Sequence, residues 1–149
     1  MDKIRVGIVG AGWIAQAHHR ILESLNEADV VAVCDLDRTR AEALAGGAPM
    51  RVYTDWRELL GREELDAVFV CTPPLAHREP AVASLDRGLP VYLEKPIART
   101  ADDASAILAA AERLGCRWLL SEDFQHDRKY GSVLVLNPFR TKPEDIITA

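Results

Sequence analysis

The fold is decided by residues 4–15, Ile-Arg-Val-Gly-Ile-Val-Gly-Ala-Gly-Trp-Ile-Ala, read together with Val30-Val31-Ala32-Val33-Cys34-Asp35. An apolar run over 3–9 barely alternates, as expected of a strand buried on both faces. It delivers the chain into Gly10-Ala11-Gly12-Trp13-Ile14-Ala15. A helical pattern follows, then a second apolar run closing on Asp35, about 20 residues past Ala15. This is the G-x-G-x-x-G/A fingerprint of a dinucleotide-binding βαβ unit, with Ala15 in third place. Gly10 permits the tight turn off the strand. Gly12 lacks a Cβ and lets a pyrophosphate approach the backbone, and Ala15 allows close helix–strand packing. The helix N-terminus offers unpaired N–H groups to phosphate, and Asp35 can accept from the adenosine ribose. The plainer reading of the triplet alone is a strand-to-helix turn without a ligand. The strand before it, the helix after it and the acid at the next strand end favour the nucleotide.

Outward from this stretch the pattern repeats. The first helix is expected over 13–26, with Ile14, Ala17, Ile21, Leu22 and Leu25 inward and the adjacent His18 and His19 on a partly exposed surface. Asp37 suits an N-cap for a helix over 38–45, stopped by Gly46-Gly47. A short strand is expected over 51–53. Thr54-Asp55 then open a single turn through Leu60, ended by Gly61. Residues 66–71 are another buried strand, broken by Thr72-Pro73-Pro74, and a helix follows to about Arg87. Residues 90–93 form a fifth strand, ending in Glu94-Lys95-Pro96. Thr100-x-x-Asp103 resembles a capping box for a helix with Ala104, Ile107, Leu108, Ala111 and Leu114 on one face. Residues 116–120 read as a sixth strand.

Strands alternating with helices call for an α/β, doubly wound, mainly parallel sheet of the Rossmann type in a single domain over 1–121. Ligands of such sheets bind outside the carboxyl ends of the strands, where Thr72-Pro73 and Glu94-Lys95 stand. Residues 122–149 read as an irregular tail, with one possible strand near 132–136.

Composition narrows the function. The chain has 149 residues, 48% of them apolar, and a net charge of −5. That charge argues against nucleic acid or an anionic membrane surface, and no apolar run reaches a membrane span. With no signal-peptide core, a cytoplasmic location is expected. Cys34, Cys71 and Cys116 form no C-x-x-C pair and read as buried apolar side chains. Neither they nor His18, His19, His77 and His126 show metal spacing. Arg38 and Arg40 follow Asp35 closely. They could meet the 2′-phosphate of NADP or be solvated helix charges, and Asp35, which would repel that phosphate, tilts the expectation to NAD.

Taken together, G-I-V-G-A-G-W-I-A, V-C-D at 33–35, C-T-P-P-x-x-H at 71–77 and E-K-P-I-A at 94–98 resemble, in order and spacing, the nucleotide-binding half of the Gfo/Idh/MocA oxidoreductases. The resemblance covers residues 3–121. It implies that Gly10, Gly12, Trp13 and Ile14 line the pyrophosphate and that Asp35 holds the adenosine ribose. Thr72, Pro73 and His77 would border the nicotinamide, and Glu94 would anchor its riboside. Lys95 would lie beside the nicotinamide and the reacting hydroxyl, orienting it or assisting proton transfer, with His77 a second catalytic candidate. On spacing alone Lys95 could instead cap a strand end and meet solvent. The family's substrates are sugars, inositols and related polyols.

Family members continue into a second α/β domain that supplies most of the substrate pocket, a downstream aspartate and histidine, and the usual oligomer interface. Glu122 and His126 lie too early for that motif, and Phe124-Gln125-His126-Asp127-Arg128 only partly echoes the family's Arg-Phe-x-Pro stretch. The expectation is therefore a cofactor half without its substrate half, doubtful as an enzyme alone. It would pair with a second copy or a partner chain through the surface the missing domain would cover. The alternative is a dinucleotide-binding sensor, regulatory or assembly module without turnover.

Overall fold

The computed structural model describes residues 2–142 and Glu144. Among the described residues, eight strands and five helices follow one another as β1 (Ile4–Val9), α1 (Trp13–Glu23), β2 (Ala28–Cys34), α2 (Arg38–Ala45), β3 (Arg51–Tyr53), α3 (Trp56–Arg62), β4 (Ala67–Val70), α4 (Arg78–Asp86), β5 (Val91–Leu93), α5 (Ala101–Leu114), β6 (Trp118–Leu120), β7 (Lys129–Tyr130) and β8 (Val133–Leu136). A single 3₁₀ turn, Pro74–Ala76, precedes α4. The first five strands form one parallel sheet in the order β3-β2-β1-β4-β5. The order reverses between β1 and β4, the switch point of a doubly wound fold.

Pleating splits the core in two. Val6, Ile8 and Val33 face α1 and α2, meeting Ala15, Leu22, Ala41 and Leu44. Val9, Ala32, Val68 and Val70 face the other way, onto Leu59 and Leu60 of α3, Ala81 and Leu85 of α4, and Ile107 and Ala110 of α5. Helices thus cover both faces, which is why these strands carry almost no polar alternation.

The caps follow the sequence. Asp37 accepts from Thr39 N–H at 3.0 Å, Asp55 from Arg57 N–H at 2.9 Å, and Thr100 from Asp103 N–H at 3.1 Å. Gly46 and Gly115 end α2 and α5 in the left-handed region. The turn after Asp55 runs further than expected, through Gly61 to Arg62.

Two expectations are corrected. The inner face of α1 is Ala15, His19 and Leu22, while Ile21 and Leu25 are exposed. Ala15, His19 and Leu22 are spaced by four and three residues, one continuous helical stripe. His19 belongs to it because its ring is buried, with Nε2 3.7 Å from the Glu23 carboxylate in solvent. α1 also stops at Glu23, three residues short, where Ser24 folds its hydroxyl onto the Ile21 carbonyl.

The second correction concerns the end of the chain. β6 does not extend the five-stranded sheet. It pairs in parallel with β8, which pairs antiparallel with β7, in a separate sheet ordered β6-β8-β7. The apolar run Val133–Leu136 supplies that central strand, and Val133, Val135 and Leu136 are buried. Within the tail expected over 122–149, β8 stands where one possible strand is expected, near 132–136, and β7 is a second short strand; β8 pairs with β6 across residue 121. Glu112 of α5 tethers this small sheet by accepting from Ser132 N–H at 2.8 Å. Residues 143 and 145–149 of the expected tail lie outside the described residues.

Candidate dinucleotide site

The crevice at the switch point is built by the loops leaving β1, β2, β4 and β5. Gly10 turns the first with φ +98°, and a Cβ there would stand 2.7 Å from the Cys71 carbonyl carbon and oxygen and 2.8 Å from Thr72 N. The end of β4 is thus pressed against this loop, which only glycine accommodates. Gly12 is different. Its backbone is extended, φ −73° and ψ −176°, and a Cβ would meet nothing within 4 Å. That open space lies over the start of α1.

No side chain caps α1, in contrast to α2, α3 and α5. Its first intrahelical bond runs from Gln16 N–H to the Gly12 carbonyl. The amides of Trp13, Ile14 and Ala15 precede that bond, and no acid occupies the first turn. Open space beside uncapped N–H groups and the positive helix end is the chemistry that holds a pyrophosphate. Ala15 is fully buried against the sheet and Ile14 packs partly into the same core, while Trp13 is 79% exposed.

Asp35 reaches into this loop from the end of β2. One carboxylate oxygen accepts from Ala11 N–H at 2.8 Å and the other from Asp37 N–H at 2.9 Å. The acid therefore shapes the glycine loop itself, a role its position in the sequence does not disclose. A carboxylate has about four acceptor sites, so capacity remains for a ribose hydroxyl. Two residues that sequence reasoning missed stand exposed in the connections that follow β2 and β4, Leu36 at 92% and Leu75 at 72% exposure. Exposed leucines directly after Asp35 and after Pro74 are the signal that could have found them. Arg38 projects from α2 and pairs with Glu42 at 2.7 Å, while Arg40 lies 3.5 Å from Asp37.

On the β4–β5 side, Thr72 and Pro73 carry the chain over the strand end. His77 sits beneath them at 0% exposure. Its Nε2 lies 2.7 Å from the Thr72 carbonyl and its Nδ1 3.2 Å from the Ile97 carbonyl. The ring ties the loop after β4 to the loop after β5. Both nitrogens face backbone oxygens inside the protein, so the buried ring braces the two loops.

Glu94 and Lys95 diverge. Glu94 contacts His18 Nε2 of α1 through Oε1 and accepts from Lys95 N–H through Oε2. His18 also lies edge-on to Phe69 and Tyr92, which stack at 4.6 Å. His18 is thus a half-buried partner of the site rather than an idle surface group. The Lys95 ammonium points to solvent and to the stretch after β6, 2.6 Å from Glu122 and 3.7 Å from Asp123. The hydrogen bond to Glu122, then the two carboxylate charges, push its pKa up, and the same bond pulls Glu122 down. Lys95 is accordingly a firm ammonium donor. His126, further along, accepts from Asn137 N–H at 3.1 Å and organises the small sheet.

A cleft of about 410 Å³ lies at the opposite, amino end of the sheet, lined by Arg5, Glu63, Glu64, Asp66 and Arg87 among others. No glycine lines it.

Residues 4–122 match the Gfo/Idh/MocA profile, described as an oxidoreductase family with an NAD-binding Rossmann fold. The chain belongs to the Gfo/Idh/MocA family. Within it, this chain is similar to inositol 2-dehydrogenase 3 of Saccharopolyspora erythraea, 35% identical over 115 residues that make up 76% of this chain and 34% of that protein. It is also similar to D-apiose dehydrogenase of Paraburkholderia graminis, 32% identical over 127 residues, 84% of this chain and 34% of that one. Among solved structures, the WlbA dehydrogenase of Chromobacterium violaceum in complex with NADH and UDP-GlcNAcA superimposes with a TM-score of 0.74 at 26% identity, covering 91% of this chain and 35% of that one. This Gfo/Idh/MocA chain therefore spans about a third of the length of the relatives it matches. The matched third is the NAD-binding Rossmann fold. Among the described residues no helix is long and apolar enough to cross a membrane.

Proposed function

We propose that this chain holds NAD(H) across the β1–β4 crevice and forms the cofactor-binding part of a dehydrogenase acting on a sugar or polyol. The observation that carries the reading is the uncapped start of α1 facing open space at Gly12, with Asp35 beside it. The amides of Gly12, Trp13, Ile14 and Ala15 bind the pyrophosphate, with Gly10 shaping the turn. Asp35 takes the adenosine ribose and disfavours a 2′-phosphate, leaving Arg38 to its Glu42 partner. Leu36 and Leu75 offer apolar flanks to the adenine. Thr72 and Pro73 border the nicotinamide, braced by His77, and Glu94 anchors its riboside.

When bound, the nicotinamide accepts or donates hydride. Lys95, held as an ammonium, donates a hydrogen bond to the reacting hydroxyl and orients it. Relatives named as inositol and D-apiose dehydrogenases, and the UDP-GlcNAcA held by the WlbA dehydrogenase, support a polyhydroxylated substrate. Tyr92, 45% exposed and stacked on Phe69, and the outer edge of β5, unpaired among the described residues, suit a second copy or a partner chain. Free thiols at Cys34, Cys71 and Cys116 fit a cytoplasmic setting.

Calorimetric titration with NADH and with NADPH tests the reading. NADH binding that weakens in Asp35→Ala is expected, and a folded protein that takes neither nucleotide would refute it. A second reading, a dinucleotide-binding sensor or assembly module, is favoured by one observation: Lys95 is already engaged by Glu122. NADH binding without oxidation of any inositol or sugar would select it.

A further inference from the structure

The dinucleotide reading places adenosine at the β2 side of the switch point and the nicotinamide over the ends of β4 and β5, where Lys95 stands. An unopposed ammonium there would repel the cationic ring of NAD⁺ and leave the neutral ring of NADH untouched. Here it is opposed. Glu122 lies 2.6 Å and Asp123 3.7 Å from the Lys95 nitrogen. Glu94, the next residue back along the same strand end, adds a third carboxylate whose neighbour is the His18 ring. The carboxylates outnumber the lysine. Their field reaches the adjacent strand position: the Tyr92 hydroxyl is pushed up first by burial and then by Glu94, Cys71 and Glu122, with Lys95 the opposing charge.

We propose that Glu122 and Asp123, by outweighing the Lys95 charge, make the nicotinamide end of this crevice prefer the oxidised dinucleotide. The proposal rests on the NAD(H) reading above and deepens it. Glu122 and Asp123 belong to the segment that follows β6, the strand that pairs with β8 in the small sheet. The small sheet thus carries the determinant that tunes a cofactor held by the large one.

The test is the ratio of dissociation constants, Kd(NAD⁺) over Kd(NADH), by calorimetry on the full chain. The wild type is compared with Glu122→Gln, the double variant Glu122→Gln/Asp123→Asn, and Lys95→Met. A unit charge several ångströms away in a solvent-exposed crevice changes binding by about threefold. The ratio should rise about threefold in Glu122→Gln and by up to about tenfold in the double variant. It should fall about threefold in Lys95→Met, and these differences should shrink in high salt. A merely structural role would weaken both forms equally and leave the ratio unmoved, which overturns the proposal while the NAD(H) reading stands. A folded wild type that binds neither form overturns both.

Discussion

Gly10 and Gly12 stand two residues apart, yet substitutions at them should fail in opposite ways. At Gly10 an added Cβ would overlap backbone atoms of Cys71 and Thr72 at 2.7–2.8 Å, with φ at +98°. Backbone cannot swing aside as a side-chain end can. Conformational strain and overlap each cost about 1–3 kcal/mol, so Gly10→Ala should lose roughly 3 kcal/mol. For a chain of this size that lowers Tm by about 10 °C. At Gly12 the backbone is extended and the space is empty. Gly12→Val should stay within about 1 kcal/mol of wild type, since a poorer N-cap residue is partly offset by a less flexible unfolded chain. Its side chain, however, fills the approach to the Trp13–Ala15 amides, and NADH affinity should fall by at least about tenfold, or 1.4 kcal/mol. Thermal unfolding followed by circular dichroism, paired with NADH fluorescence titration, separates the two. Gly12→Val that unfolds as early as Gly10→Ala, or that binds NADH like wild type, would refute the assignment of that space to pyrophosphate.

Asp35→Ala removes the acceptor of the Ala11 and Asp37 amides. Besides weakening NADH it should cost about 1–3 kcal/mol in urea unfolding, with Asp35→Asn intermediate. His77→Ala removes the buried ring between the Thr72 and Ile97 carbonyls, with the one hydrogen bond a neutral imidazole can donate there, and leaves a hole, an expected loss of about 3–4 kcal/mol by the same assay, consistent with a brace. Burial pushes the Cys34 and Cys71 thiols up to about 12, so at pH 8 a thiol reagent should modify Cys116 first and reach the other two only on unfolding. The Lys95–Glu122 contact contributes above the ordinary glutamate pKa of 4.5 and fades as pH falls through the lowered Glu122 value; at the other end it persists below 10.5 and is lost as pH rises through the raised Lys95 value. Lysine side-chain NMR should show the Lys95 resonance titrating above 10.5, and Glu122→Gln should bring it down.

What the sequence discloses is local. Asp37, Asp55 and Thr100 cap helices because the bond spans two or three residues, and Gly10 and Gly46 announce turns that only glycine makes. The five parallel strands follow from runs too apolar to face water. What it withholds depends on distant partners. Asp35 holding Ala11, and His77 joining two loops, need the sheet assembled first. His19 looks like a surface residue because its chemistry is polar, but its place in the Ala15–Leu22 stripe buries it. β6 looks like a sixth strand of the same sheet, yet it pairs with Val133–Leu136, a partner that comes later in the chain. Its departure brings Glu122 to Lys95, a contact no spacing rule contains.

The most direct test of the account is an amide NMR titration of the chain with NADH. Shifts concentrated at Gly12, Trp13, Ile14, Ala15 and Asp35, extending to Glu94 and Lys95, are the expected result. No shifts, or shifts confined to the cleft around Arg5, Glu63 and Arg87, would contradict it.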